Sequence, residues 1–191
     1  MNKQSGVTLI EAMVTIAILA IVTSIATPSF LGLIASSELS STTNDLITAI
    51  AKTRNQAIST GTRVSICKSA DGTQCTNNGN WEQGWISFID TTRAGNTAAI
   101  DAGEKLISAS QNTSSRNILI QGDANLIQYI SFGSDGTAKT MGGAPLVGTI
   151  RVCSTSTSLG DSNRARDINL TFTGRASVVK VSSNSTCAAP T

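Results

Sequence analysis

The sequence contains no histidine. That removes the commonest general base, the commonest metal ligand and every catalytic triad built on an imidazole. Charge is also scarce. Asp, Glu, Lys and Arg together make up 14% of the 191 residues, against roughly a quarter in an ordinary globular protein. The formal net charge is only +2, so nothing in the balance demands an acidic partner. Aromatics are down to 4%. A stretch where cations alternate with stacking rings, the usual mark of a single-strand binder, is therefore missing. Without histidine or a nucleophile–base constellation, catalysis has no residues to rest on. The expectation is a protein that is not an enzyme and takes no cofactor and no metal.

What remains is a chain rich in Ser, Thr, Asn and Gly with four cysteines, Cys67, Cys75, Cys153 and Cys187. None forms a CxxC pair, which argues against zinc. An even number behind an export-type N-terminus favours disulfides, and four cysteines allow three connectivities. A Cys67–Cys75 bond would staple a short loop, and a Cys153–Cys187 bond would tie the C-terminal tail to a strand.

The N-terminus poses the main question. From Val7 to Ala26 the residues are apolar or small except Thr8, Glu11, Thr15, Thr23 and Ser24. This is about the 20 residues that a spanning helix needs. A carboxylate in hydrocarbon is costly, and such groups usually mark function. A signal peptide cut after Ala26 or a plain anchor leaves Glu11 without a role. A cut after Gly6 instead places Glu11 fifth from a new N-terminus.

Beyond the anchor, apolar residues recur at Leu46, Ile47, Ile50, Ala51, Ala57 and Ile58 with near-helical spacing. The expectation is one long helix from Val7 to about Ser59, softened near Pro28 and Gly32, weakest through the polar stretch Ser36 to Asn44, and stopped by Gly61. Seven β-like runs follow: Thr62–Lys68, Gly84–Asp90, Asn117–Gln121, Ile127–Phe132, Gly148–Ser154, Ile168–Phe172 and Arg175–Val181. Thr173-Gly174 reads as a hairpin turn between the last two. Strands without intervening helices imply antiparallel sheets. The loops 71–80 and 154–166 read as exposed.

The stretch "SGVTLIEAMVTIAILAIVTSIATPSF", Ser5 to Phe30, resembles the class III signal of type IV pilins and type II secretion pseudopilins. Val7 stands where that family usually has Phe. "LITAIAKTRNQAISTGTRVSIC", "NWEQGWISFID", "DAGEKLISA", "ISFGSDGTA" and "RDINLTFTGRASVVK" are similar, in order, to segments of the GspH/FimT family of minor pilins and pseudopilins. The resemblance implies an α+β fold, a long N-terminal helix packed on antiparallel β-sheets. It implies a leader at residues 1–6, a transmembrane segment at 7–26, a helix continuation at 27–60 and a periplasmic β domain at 61–191. A prepilin peptidase would cut between Gly6 and Val7 and methylate Val7. Glu11 would serve assembly by pairing with a neighbour's N-terminal ammonium, and Pro28 matches the family's helix-loosening proline. The implied function is a minor subunit that initiates and caps a type IV pilus, as FimU-like members do, or a type II secretion pseudopilus. The implied partners are other minor and major pilins, the peptidase and inner-membrane lipid.

A second reading is DNA binding in natural competence. FimT-like members use a C-terminal GRxR element. Here the matching residues are Gly174-Arg175-Ala176-Ser177, so the second Arg is missing. Arg164, Arg166, Arg175 and Lys180 are the candidate contacts. A solvated charged face is the expected role of these four, with DNA the less favoured partner. Trp81 and Trp85 are expected to pack in the core rather than form a ligand platform.

Overall fold

The computed structural model describes residues 6–92, 97–111 and 117–190. Residues 1–5, within the leader expected at 1–6, lie outside them. Helix α1 spans Leu9–Thr60, 52 residues. The Thr8 side chain caps it by accepting from the Glu11 N–H at 3.4 Å. It stops at Gly61, whose φ of 64° closes the last turn in the left-handed region.

The helix is continuous through Pro28 and through Ser36–Asn44, so the expected softening near Pro28 does not break it. In the apolar half, hydroxyls are satisfied by the helix itself. Thr23 Oγ1 donates to Leu19 O at 2.9 Å, Ser24 Oγ to Ile21 O at 2.8 Å and Thr27 Oγ1 to Thr23 O at 2.7 Å. In the polar stretch, tertiary packing supplies what propensity lacks. Leu39 and Thr43 are buried there. They belong to a stripe of Ala35, Leu39, Thr43, Leu46, Ile50, Thr53 and Ala57, spaced three or four apart as one helix face requires.

Two antiparallel four-stranded sheets cover that stripe. The strands are β1 Val64–Lys68, β2 Gly84–Ile89, β3 Leu106–Gln111, β4 Ile118–Gly122, β5 Tyr129–Phe132, β6 Gly148–Ser154, β7 Ala165–Leu170 and β8 Ala176–Val181. The first sheet has the order β3-β2-β1-β5 and the second β4-β6-β7-β8. One apolar cluster joins Leu46 and Ile50 of α1 to Ile66, Ile130 and Phe132 of the first sheet and Ile120, Ile150 and Ile168 of the second.

Two expectations need correction. There are eight strands among the described residues, not seven, because β3 pairs with β2. Strand β7 runs Ala165–Leu170 rather than Ile168–Phe172. Phe172 lies in the turn, 57% exposed, because Thr171 to Arg175 is taken up by the hairpin connection. There the Thr171 N–H donates to Arg175 O and the Gly174 N–H to Thr171 O.

Candidate functional site

The helix divides into two halves with different surroundings. From Leu9 to Ile34 its large apolar side chains are exposed, and the first residue of the core is Ala35. The segment is long and apolar enough to cross a membrane, and near its end Gly32 lies beside the Ser158 carbonyl. Glu11 sits in its first turn, and Gly6 and Val7 lie just before the helix and are exposed. The Glu11 carboxylate is exposed there and has no ion pair among the described residues.

At the far end of α1 a single arginine gathers both sheets. Arg54 Nε donates to Gly136 O at 2.9 Å and Arg54 Nη2 donates to Thr173 O at 3.1 Å. Gly136 belongs to the turn after β5, Thr173 to the hairpin between β7 and β8. The two turns meet so closely that a Cβ on Gly174 would stand 2.0 Å from Gly136 O. This explains the "FTGR" segment: Gly174 (φ 76°) gives the turn its hand and lets the other turn approach. Sequence reasoning did not single out Arg54, since a lone cation off the apolar stripe carries no signal of two backbone acceptors that are distant in the chain.

A second inter-sheet link lies beside β2. Trp81, fully buried, donates through Nε1 to Leu126 O at 2.9 Å. Its neighbour Glu82 accepts from the Ile120 N–H at 3.0 Å through Oε2. The β4 edge thus receives a carboxylate acceptor in place of a neighbouring strand. Trp85 is buried as well. Both tryptophans therefore serve packing. Lys68 lies almost wholly inside and donates to Gly79 O at 2.6 Å and Asn77 O at 3.3 Å. Burial pushes its ammonium below the usual lysine value, and the Glu82 charge offsets part of that.

The cysteines form two bonds, Cys67–Cys75 and Cys153–Cys187. The first closes the turn-rich loop that Lys68 holds from below. The second pins the C-terminal tail to β6, where Arg151 Nη1 also donates to Ala188 O at 3.1 Å. Arg151 makes a two-pronged ion pair with Asp167 at 2.7 Å and 2.9 Å, which holds the guanidinium above its ordinary pKa.

The four candidate DNA contacts do not converge. Arg164 is buried at 4% exposure. Its guanidinium donates to the carbonyls of Ser154, Ser156 and Leu159 and to Asp161 Oδ1. It organises the 154–164 loop and is not part of a surface, which corrects its inclusion among the contacts and the view of that loop as exposed throughout. Arg166 and Lys180 face each other across β7 and β8. Arg175 lies at the other end of β8, five residues from Lys180 and about 17 Å away at ~3.3 Å per residue.

Among the described residues no group of three or more Asp, Glu, His or Cys could hold a metal. A polar cleft of about 450 Å³ opens near Arg63, Asp90 and Lys139. Beside it the buried Asp90 accepts from Ser65 Oγ at 2.7 Å through Oδ2.

The profile of the Prokaryotic N-terminal methylation motif matches residues 1–27, and that of Type II transport protein GspH matches residues 42–174. No curated protein matches the chain. Among solved structures, the type IV minor pilin FimU of Pseudomonas aeruginosa superposes with a TM-score of 0.51 at 17% identity, covering 81% of this chain and 93% of that one. A second crystal form of FimU gives a TM-score of 0.44 at 15% identity, over 82% and 94%. At 17% identity the first likeness speaks for the fold alone: a long N-terminal helix packed on antiparallel sheets. The GspH match spans well over half the sequence and includes every strand up to the β7–β8 turn, and on that ground the chain belongs to the GspH family of pilin-like structural subunits.

Proposed function

We propose that this chain is a minor pilin or pseudopilin, a structural subunit and not an enzyme. In this reading residues 1–6 are a leader, a prepilin peptidase cuts between Gly6 and Val7, and Val7 becomes the methylated N-terminus. Residues 7–26 anchor the subunit in the inner membrane, 27–60 continue the helix, and 61–191 form a periplasmic domain. The subunit joins other minor and major subunits to initiate and cap a filament. The observation that carries the reading is the combination of a methylation motif with a helix whose large apolar side chains stay exposed from Leu9 to Ile34.

Glu11 has a specific task here. An ionised carboxylate in low dielectric is tolerated only beside a countercharge. The N-terminal ammonium of an adjacent subunit supplies one when the two helices are correctly staggered. The unpaired charge thus disfavours the lone subunit and selects one register in the filament. Of the two filament types, the type IV pilus is preferred, because two disulfides and a loop-rich head suit an exposed tip subunit. The DNA-binding reading gains little from four cations of which one is buried, two pair across β7 and β8, and the fourth stands about 17 Å from them.

Mass analysis of the mature N-terminal peptide tests the proposal. A methylated Val7 start is the expected result, and a start at Thr27 would overturn it. Glu11→Ala is expected to remain membrane-bound but to lose co-purification with the other minor subunits.

A further inference from the structure

We infer that, before assembly, the base of the head rests directly on the membrane, with the loops 155–163 and 182–186 seated among the lipid headgroups. The inference rests on the anchoring role proposed above. It starts from a ruler that the helix provides. From Leu9 to Ile34 the helix is about 39 Å long at 1.5 Å per residue. The hydrocarbon core of a bilayer is roughly 30 Å thick, and roughly 40–45 Å with its headgroups. The exposed apolar surface does not stop at Ala26, where the sequence pattern suggested the span would end. Phe30, Leu31, Leu33 and Ile34 are 62%, 50%, 66% and 49% exposed. Ala35, the next residue, is already in the core. No polar stalk separates the apolar segment from the head.

The base of the head lies at the same level. Ser158 O comes so near Gly32 that a Cβ there would stand 3.1 Å from it. Gly32 is six residues beyond Ala26, about 9 Å along the axis, which is headgroup depth. The second loop lies beside the first, with the Ser183 N–H donating to Asp161 O at 3.0 Å.

The chemistry of these loops suits that depth. They read Thr-Ser-Thr-Ser-Leu-Gly-Asp-Ser-Asn and Ser-Ser-Asn-Ser-Thr, rich in hydroxyl and amide groups that exchange hydrogen bonds with phosphate and ester oxygens. Their one acid, Asp161, is paired with Arg164 at 3.1 Å. Arg166 reaches down to the loop through Nη1, donating to Asn163 O at 3.2 Å, and Lys180 stands opposite it. These two cations at the rim favour anionic headgroups. The occupant is lipid rather than another chain because the apolar face of residues 30–34 is continuous with the segment that the membrane already covers.

The test uses the full-length chain in vesicles of equal phosphatidylethanolamine and phosphatidylglycerol, at low protein-to-lipid ratio. Ser158→Trp and Thr157→Trp place a fluorophore at exposed positions of the base, and Ile18→Trp places one in the middle of the span. Emission of the parent protein, from buried Trp81 and Trp85, is subtracted, and mapping of the two disulfides verifies folding. Lipids nitroxide-labelled on the headgroup are expected to quench roughly half the added emission at 158 and 157, because interfacial groups contact lipid on one side only. Lipids labelled in mid-chain should quench position 18. If position 18 is quenched while 157 and 158 are not, the head stands clear of the membrane and this inference fails. If position 18 is not quenched either, the anchoring reading itself fails.

Discussion

Gly174→Ala should be among the most damaging single-methyl additions this protein can suffer. Two effects combine at this position. A φ of 76° lies in the left-handed region, which costs an L-residue roughly 1–2 kcal/mol. The added methyl would also stand 2.0 Å from Gly136 O and 2.8 Å from Arg54 Nε. A backbone oxygen cannot yield as a flexible side chain can, so the two turns must separate. Separation breaks at least one of the Arg54 hydrogen bonds, each a charge-assisted contact of roughly 1.5–3 kcal/mol. The sum is a loss of about 3–5 kcal/mol, or about 2–4 °C of melting temperature per kcal/mol in a chain of this size. Gly61→Ala is the matched control. Its φ is 64°, but nothing stands within 4 Å of the added methyl, so only the conformational cost of roughly 1–2 kcal/mol remains. Urea titration of both variants in the same detergent, followed by far-ultraviolet circular dichroism, gives the comparison. Equal losses at the two glycines would refute the claim that the meeting of the two turns is what requires glycine at 174.

The disulfides should differ in weight. They close separations of 8 and 34 residues, so chain entropy assigns about 2.5 kcal/mol to Cys67–Cys75 and about 3.8 kcal/mol to Cys153–Cys187. Paired Cys→Ala variants in the same titration should rank in that order. Glu104 should govern part of the acid response. Burial alone would raise its carboxyl, but the N–H groups of Asp101, Thr92 and Thr91 outweigh that and hold it below the ordinary value. Its stabilisation is therefore present above the unfolded value of about 4.3 and lost as pH falls through the folded one. Glu104→Gln should be less stable than the parent at neutral pH, with the two urea midpoints converging in acid. DNA binding should stay within the ~10⁻⁴–10⁻⁶ M of non-specific contacts, measured by fluorescence titration at about 150 mM salt. Sub-micromolar affinity abolished by Arg175→Ala would make DNA uptake the primary function.

The sequence made the helix, its uncovered start and most of the strands legible, because each rests on a local pattern. The apolar run, the Gly61 stop and the short β-prone runs of β4 and β6 need no knowledge of distant residues. Strand β3 was hidden for a physical reason. All six of its residues are exposed, so neither face imposes apolar alternation, and its place is set by pairing to β2 alone. The role of Arg164 was hidden as well. Its burial depends on the loop folding back to present three carbonyls to one guanidinium, and no spacing announces that. Arg54 and Glu82 were hidden in the same way, since their partners are backbone atoms distant in the chain. The extension of exposed apolar surface to Ile34 was in the sequence but gained meaning only when Ala35 proved to be the first residue of the core.

The carboxylate of Glu82 on the Ile120 N–H has a consequence for how the head comes together. Glu82 precedes β2, a strand of the first sheet, while Ile120 lies on the outer strand of the second. The second sheet, formed alone, would present an unsatisfied row of amides along β4, the kind of template on which chains pair wrongly. Once β1 and β2 are in place, Trp81 and Glu82 are waiting at that border. Because the first sheet's β1 to β3 come earlier in the chain, the guard is available before the edge it protects. The two sheets are in this respect a single cooperative unit, and a variant lacking the Glu82 carboxylate should reveal itself less in the folded protein than in aggregation during refolding.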